Sequence, residues 1–201
     1  NVTEQIQYIN LDADQPSRAI DGFESYEKVS PINEGFETGS KGSYASASVT
    51  LTSGSWTMDD ALIGNLTGDR KNGTKSARMV NSGKITMNFD RVSAGTVTIQ
   101  HAVYGSDGPS TWELWYSFDS GLGWKRAGMP VTTTSTTLQA ATFVINTGRN
   151  IRFSINKASG AGSRINIDDI QISNYVTEPG PNPNPNPNPN PNPNAALHYA
   201  L

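Results

Sequence analysis

Apolar and polar residues alternate with period two along most of residues 33–176. Ile85, Met87 and Phe89 are separated by polar neighbours, and so are Val97, Ile99, His101 and Val103. Trp112, Leu114, Tyr116 and Phe118 share one phase, and Ile151, Phe153 and Ile155 alternate with Arg152, Ser154 and Asn156. Alternation of this kind marks strands buried on one face. Turn-forming runs punctuate it at Asn81-Ser-Gly83, Gly105-Ser-Asp-Gly108, Asn146-Thr-Gly148 and Ser159-Gly-Ala-Gly162. No segment of this body sustains a helical period. The pattern predicts an all-β fold, a two-sheet antiparallel jelly-roll sandwich around one core.

Two departures from the alternation point to chemistry. Trp115 is opposite in phase to Trp112, so the two cannot both face one core. One reading makes Trp115, with Tyr104 nearby in the sequence, a surface platform on which sugar rings stack. The other packs it under a covering loop. The second departure is INIDDIQI at residues 165–172, where the apolar phase slips by one at Asp168-Asp169. A slip inside a strand predicts a β-bulge. Its two acids, with Glu37 of GFETG near the start of the body, form a candidate Ca²⁺ site, because Ca²⁺ takes carboxylate and carbonyl oxygens. The competing reading is solvated acids at a strand end.

The chain divides into segments by composition. Residues 1–32 are polar and acidic with one short apolar piece at residues 6–9, and read as a leader or linker. Residues 33–176 form the sandwich. Residues 177–194 end in seven Pro-Asn pairs. Alternate residues there lack an N–H and each Asn is driven to extended geometry by the following proline, so the run predicts a semi-rigid polyproline II spacer. Residues 195–201, AALHYAL, are too few for a domain and read as the start of a downstream one.

Charge and composition narrow the function classes. Residues 1–35 carry seven acids and two bases, net −5, whereas residues 36–175 carry ten acids and thirteen bases, net +3. A body so mildly basic gives only weak support to a nucleic-acid partner. Arg70, Lys71 and Lys75 are candidate phosphate contacts, against the plainer reading of a solvated loop. There is no cysteine, which excludes disulfides and thiolate metal sites. His101 and His198 are too far apart in sequence to suggest a nucleophilic triad or zinc site, and His101 reads as a core or edge residue. No apolar run approaches the ~20 residues of a membrane-spanning helix.

Ser117-x-Asp119-x-Gly121-x-x-Trp124 resembles the Asp-box, a hairpin best known from sialidases. In its usual geometry Ser and Asp tie the turn amides, Gly permits the bend and Trp packs beneath. The motif therefore predicts a structural hairpin. INEGFETG, WTMDDALIGNLTGDRKNGTKSAR, GKITMNFD, YGSDGPSTWELWYSFDSGLGW and RINIDDIQI together resemble the accessory jelly-roll domain of secreted Bacteroidota proteins. That domain often precedes a DNA/RNA non-specific endonuclease. The ending IDDI is also similar to MAM-type and carbohydrate-binding sandwiches, whose structural Ca²⁺ lies near the matching Asp. The resemblance implies a secreted or cell-surface, non-catalytic binding or stabilising module. It further implies Ca²⁺ at Glu37 and Asp168, glycan or another extracellular polymer as partner, and a tethered catalytic domain downstream. A purely structural spacer and a glycan-acting hydrolase using Asp168, Asp169 or Glu37 are the alternatives.

Overall fold

The computed structural model describes residues 5–8 and 30–176, and every regular element in them is a β-strand. In chain order these are β1 (Gln5–Tyr8), β2 (Ile32–Glu34), β3 (Ala47–Leu51), β4 (Gly54–Gly64), β5 (Ser76–Met87), β6 (Arg91–Val103), β7 (Ser110–Ser117), β8 (Lys125–Thr133), β9 (Gln139–Lys157) and β10 (Ile165–Ile172). The predicted spacer at 177–194 and the segment 195–201 lie outside the described residues. So does most of the acidic leader; yet four residues assigned to that leader, Gln5–Tyr8, form a strand paired with β9.

The strands make an antiparallel sandwich whose two sheets share β5 and β9. In the first, the opening half of β5 pairs with β10, β10 with β6, and β6 with the opening half of β9. In the second, the order is β3, β4, the closing half of β5, the closing half of β9, β7 and β8. β2 extends the first sheet by pairing with the end of β10, and β1 does so by pairing in parallel with β9.

Strands that serve two sheets must bend, and in β5 and β9 the residue at the bend is the one the sequence marks as a turn. Asn81 and Asn146 have φ of 50° and 49°, left-handed backbone that Asn tolerates better than most side chains. They lie inside β5 and β9, which continue through them. The expected turns at 81–83 and 146–148 are therefore corners within strands, whereas those at 105–108 and 159–162 do separate strands. Asp60, φ 44°, makes the matching corner in β4, where the register with β5 shifts. The corners of β4 and β5 touch: a side chain at Gly83 would come within 2.7 Å of the Asp60 carbonyl.

The core lies between the sheets and is one cluster. Trp56, Trp112, Phe36, Phe143, Phe153 and the Ile and Met residues of β5, β6, β9 and β10 are its largest members. His101 joins them at 5% exposure, edge-on to Trp112 and with Nδ1 2.9 Å from the Thr133 hydroxyl. Burial holds its pKa down at about 4, because enclosure away from water penalises the charged ring.

Candidate functional site

Two regions bring together polar side chains that the sequence scatters. The first is the acidic bulge of β10. Pairing with β6 slips between Asp168 and Gln171, and Asp169 takes φ 43°. The slip turns Asp168 inward to 0% exposure, where burial raises its carboxyl pKa to about 7. Its Oδ2 accepts from the Asn72 backbone N–H at 2.7 Å and its Oδ1 from the Asp169 N–H at 2.9 Å. The Asn72 side-chain amide donates to Asp169 Oδ2 at 2.9 Å.

β2 pairs antiparallel with the end of β10, Glu34 opposite Ile170, which carries the following loop to the bulge. That loop turns sharply: Phe36 is fully buried with φ 61°, and its N–H donates to the buried Glu34 carboxylate at 2.7 Å. Glu37 then faces the loop after β4. Its Oε1 accepts from the Thr74 and Lys75 N–H groups at 2.9 and 3.1 Å, and its Oε2 from the Thr74 hydroxyl. The Thr74 hydroxyl is foremost in holding the Glu37 carboxyl below its usual pKa. Glu37, Asp168 and Asp169 thus all grip residues 72–75. Their charges are close enough that Glu37 and Asp169 both add to the upward push on Asp168.

Whether this cluster suits Ca²⁺ can be asked of its donors. Three carboxylates are hard oxygen ligands of the right kind, and Asp168 is buried with no cationic side chain among its described partners. The carboxylates are held apart on loop amides, however, and among the described residues no three acid or imidazole groups converge as a ready ligand set. Each oxygen keeps a second lone pair, so a cation here would share the carboxylates with the loop amides that already hold them.

The same loop disposes of its cations internally. Lys75 Nζ donates to the carbonyls of Glu37 and Gly39, both at 2.8 Å. Lys71 Nζ donates to those of Leu66 and Asp69, and Arg70 Nη2 to that of Gly105 at 3.0 Å. Each candidate phosphate contact thus donates to backbone carbonyls of this region. Beneath them lies a network that sequence reading missed. Asp69 forms a two-bond ion pair with Arg78, and the fully buried Asn166 donates to Asp69 Oδ1 at 2.9 Å while accepting from the Arg70 N–H at 3.0 Å. Asn166 alternates with the buried Ile165 and Ile167, so the local pattern reads it as an outward residue and gives no signal of its burial.

Tyr104 sits beside this network. The guanidinium carbons of Arg164 and Arg78 lie 4.1 and 4.6 Å from its ring centroid, and Arg164 is paired to Asp107. Its ring is thereby engaged by cations.

The second region is the outer face of the second sheet. Trp112 is fully buried, and Trp115 stands half-buried on the opposite side of β7. Strand register sets Trp115 in a row that crosses the sheet: Ser48, Thr57, Thr86, Ser154, Trp115 and Arg126 are successive ladder partners on six strands. A second row beside it runs Asp59, Lys84, Asn156 and Glu113. Hydrogen bonds tie the face together. The Ser48 and Thr57 hydroxyls are 3.2 Å apart and those of Thr86 and Ser154 2.7 Å apart. The Ser154 hydroxyl donates to Asn156 Oδ1 at 2.6 Å. Glu113 accepts from Trp115 Nε1 and Arg126 Nη1, each at 2.9 Å, so the indole is braced in its own plane.

The Asp-box residues form the β7–β8 turn at the end of this face. Ser117 Oγ donates to Asp119 Oδ1 at 2.6 Å and accepts from the Gly121 N–H at 2.8 Å. Asp119 Oδ1 accepts from the Gly123 N–H at 2.8 Å, and Trp124 Nε1 donates to the Gly121 carbonyl at 3.0 Å. Every one of these contacts is internal to the turn.

No known protein family matches the sequence, and no curated protein matches it. Solved structures do share the fold. The K2 cleaved adhesin domain of Lys-gingipain is 14% identical, covers 71% of this chain and 97% of its own, and gives a TM-score of 0.55. The K1 cleaved adhesin domain of Lys-gingipain from Porphyromonas gingivalis W83 is 13% identical over 74% of this chain and 100% of its own, with a TM-score of 0.54. The CBM22-1 xylan-binding domain of Paenibacillus barcinonensis Xyn10C is 12% identical over 73% and 95%, with a TM-score of 0.48. What the two adhesin domains have in common with this chain is the jelly-roll sandwich.

Proposed function

We propose that this domain is a non-catalytic glycan-binding module that takes an extended sugar chain across the outer face of its second sheet. The observation that carries the reading is the Trp115 row. An aromatic face suits the C–H side of a pyranose ring, and this one is flanked by hydroxyl, amide and charged groups fixed by one another. Neighbouring strands lie about 4.8 Å apart, so the six-strand row offers a path of about 24 Å. That length fits a chain of several sugars better than a single ring. Preorganised side chains lower the ordering cost of binding.

A catalytic role for the acidic bulge has no such support. Asp168 is fully enclosed and both its oxygens are engaged by backbone N–H groups, which leaves no approach for a glycosidic oxygen. The reading instead gives Glu37, Asp168 and Asp169 the role of a structural Ca²⁺ site, closing residues 72–75 against β10. It also places the module outside the cell, with the Pro-Asn run as a spacer to a catalytic partner. For a nuclease as that partner the support is the sequence resemblance alone.

The test is retention in native gels containing soluble neutral and acidic polysaccharides, with reducing-end release assayed alongside. The expected result is retardation by at least one polysaccharide without turnover, lost in Trp115→Ala while the melting temperature stays within a few degrees. No retardation by any polysaccharide, or retardation unchanged in Trp115→Ala, would overturn the reading.

A further inference from the structure

Asn72-Gly73 is the one Asn-Gly pair in the chain, and the fold leaves it open to a reaction of its own. When the residue after an asparagine has no side chain, its backbone nitrogen can reach the asparagine's side-chain carbonyl carbon, because no Cβ stands in the way. Asn72, Gly73 and Thr74 are all exposed. The N–H groups of residues 72–75 differ in their partners. That of Asn72 donates to Asp168, and those of Thr74 and Lys75 donate to Glu37. The Gly73 N–H has no acceptor among the described residues. The attacking nitrogen is therefore the one amide of this loop that the carboxylates do not hold.

The fold also demands the glycine. Gly73 has φ 86°, and a side chain there would come within 2.5 Å of Glu37 Oε1. The grip of Glu37 on Thr74 and Lys75 thus requires the residue that makes Asn72 labile. The Asn72 side chain itself is tied by one bond, from Nδ2 to Asp169 Oδ2 at 2.9 Å, at the surface. A single exposed bond of this kind opens readily.

The chemistry needs only water. The Gly73 nitrogen loses its proton to solvent base and bonds to Asn72 Cγ. The Cγ–Nδ2 bond breaks, and Nδ2 takes a proton from water and leaves as ammonia. Water then opens the five-membered imide at one of its two carbonyls. Attack at Cγ leaves aspartate at position 72. Attack at the main-chain carbonyl leaves isoaspartate, with the chain routed through the side-chain carbon and one methylene longer.

Both products break the same contact. An oxygen in place of Nδ2 faces Asp169 Oδ2 with no proton between them, and a further negative charge joins Glu37, Asp168 and Asp169. The longer chain of isoaspartate also disturbs the spacing by which residue 72 reaches Asp168 while residues 74 and 75 reach Glu37. We propose that Asn72 is a self-modification site: its deamidation unlatches residues 72–75 from the acidic bulge of β10. The change runs one way, from a latched loop in new protein to a released loop in aged protein.

The test ages the full chain at pH 8 and 37 °C. Peptide mass analysis follows conversion of amide to acid at each asparagine, and amide hydrogen exchange compares aged with fresh chains. Acid is expected at residue 72 several-fold faster than at the exposed Asn65, Asn88 and Asn146, which precede Leu, Phe and Thr. The Thr74 and Lys75 amides are expected to exchange several-fold faster in the aged chain. Asn72→Gln keeps an amide on a longer arm that closes a ring far more slowly, so its exchange is expected to stay at its own fresh rate on ageing. Conversion at residue 72 no faster than at the other three asparagines would overturn the site. Conversion without faster exchange at Thr74 and Lys75, or an equal rise in Asn72→Gln, would overturn the unlatching.

Discussion

His101 shows how much one side chain can signal about its surroundings. In the sequence it stands where a Val or Ile would, and the structure puts it in the core against Trp112. Its pKa of about 4 lies below the ordinary 6.5. Between those values the unfolded chain binds a proton at this site and the folded chain does not. Stability from this group is complete above pH 6.5 and is lost as pH falls towards 4, by up to about 3 kcal/mol. We expect the melting temperature to fall through that window and the fall to be shallower in His101→Leu. Equal pH dependence in the two proteins would show that other groups dominate. Trp112 and Trp115 make the same point about legibility. Their opposite phases are readable because period two is a local property, three residues apart on one strand. Arg70, Lys71 and Lys75 were legible as charge and no further. The carbonyls that hold them belong to Gly105, Leu66, Asp69, Glu37 and Gly39, and no local pattern announces such partners.

At the scale of elements, the long strands are the main departure from the sequence pattern. Asn81-Ser-Gly83 and Asn146-Thr-Gly148 have the composition of turns, yet β5 and β9 run through them because each strand is paired on both sides of the bend. Pairing across two sheets outweighs the local preference to reverse direction. Gly83→Ala tests the corner. Its methyl group would meet the carbonyls of Asp60 and Val80 at 2.7 and 3.0 Å, so a loss of about 1–3 kcal/mol is expected in denaturant unfolding. A loss below about 0.5 kcal/mol would show that the corner gives way. The acidic bulge is the opposite case. The phase slip in INIDDIQI is visible in sequence and is realised as a bulge, whereas the loop 72–75 that the three acids grip is 96 residues from Asp168 and 37 from Glu37. If Ca²⁺ binds there, millimolar Ca²⁺ raises the melting temperature by several degrees at pH 7.5, and the rise vanishes in Asp168→Asn. An identical response in wild type and variant would place any Ca²⁺ effect elsewhere.

For the molecule as a whole, the sandwich is a way of converting alternation into two unlike surfaces. The inward set of each strand makes one core, and the outward set of β3, β4, β5, β9, β7 and β8 makes a polar floor with Trp115 in it. The inward set was legible strand by strand. The floor was not, because it depends on the register of six strands drawn from residues 47–157, and a slip of one residue in any of them would break the row. We propose that an extended glycan lies on that floor. The most direct measurement is amide and indole chemical-shift mapping during titration with a polysaccharide-derived oligosaccharide that the domain retains. The largest shifts are expected on the Trp115 indole and on Thr57, Thr86, Ser154 and Arg126, with Tyr104, Arg164 and the 72–75 loop unmoved. Shifts confined to the Tyr104–Arg164 end or to the acidic bulge, with Trp115 silent, would contradict it.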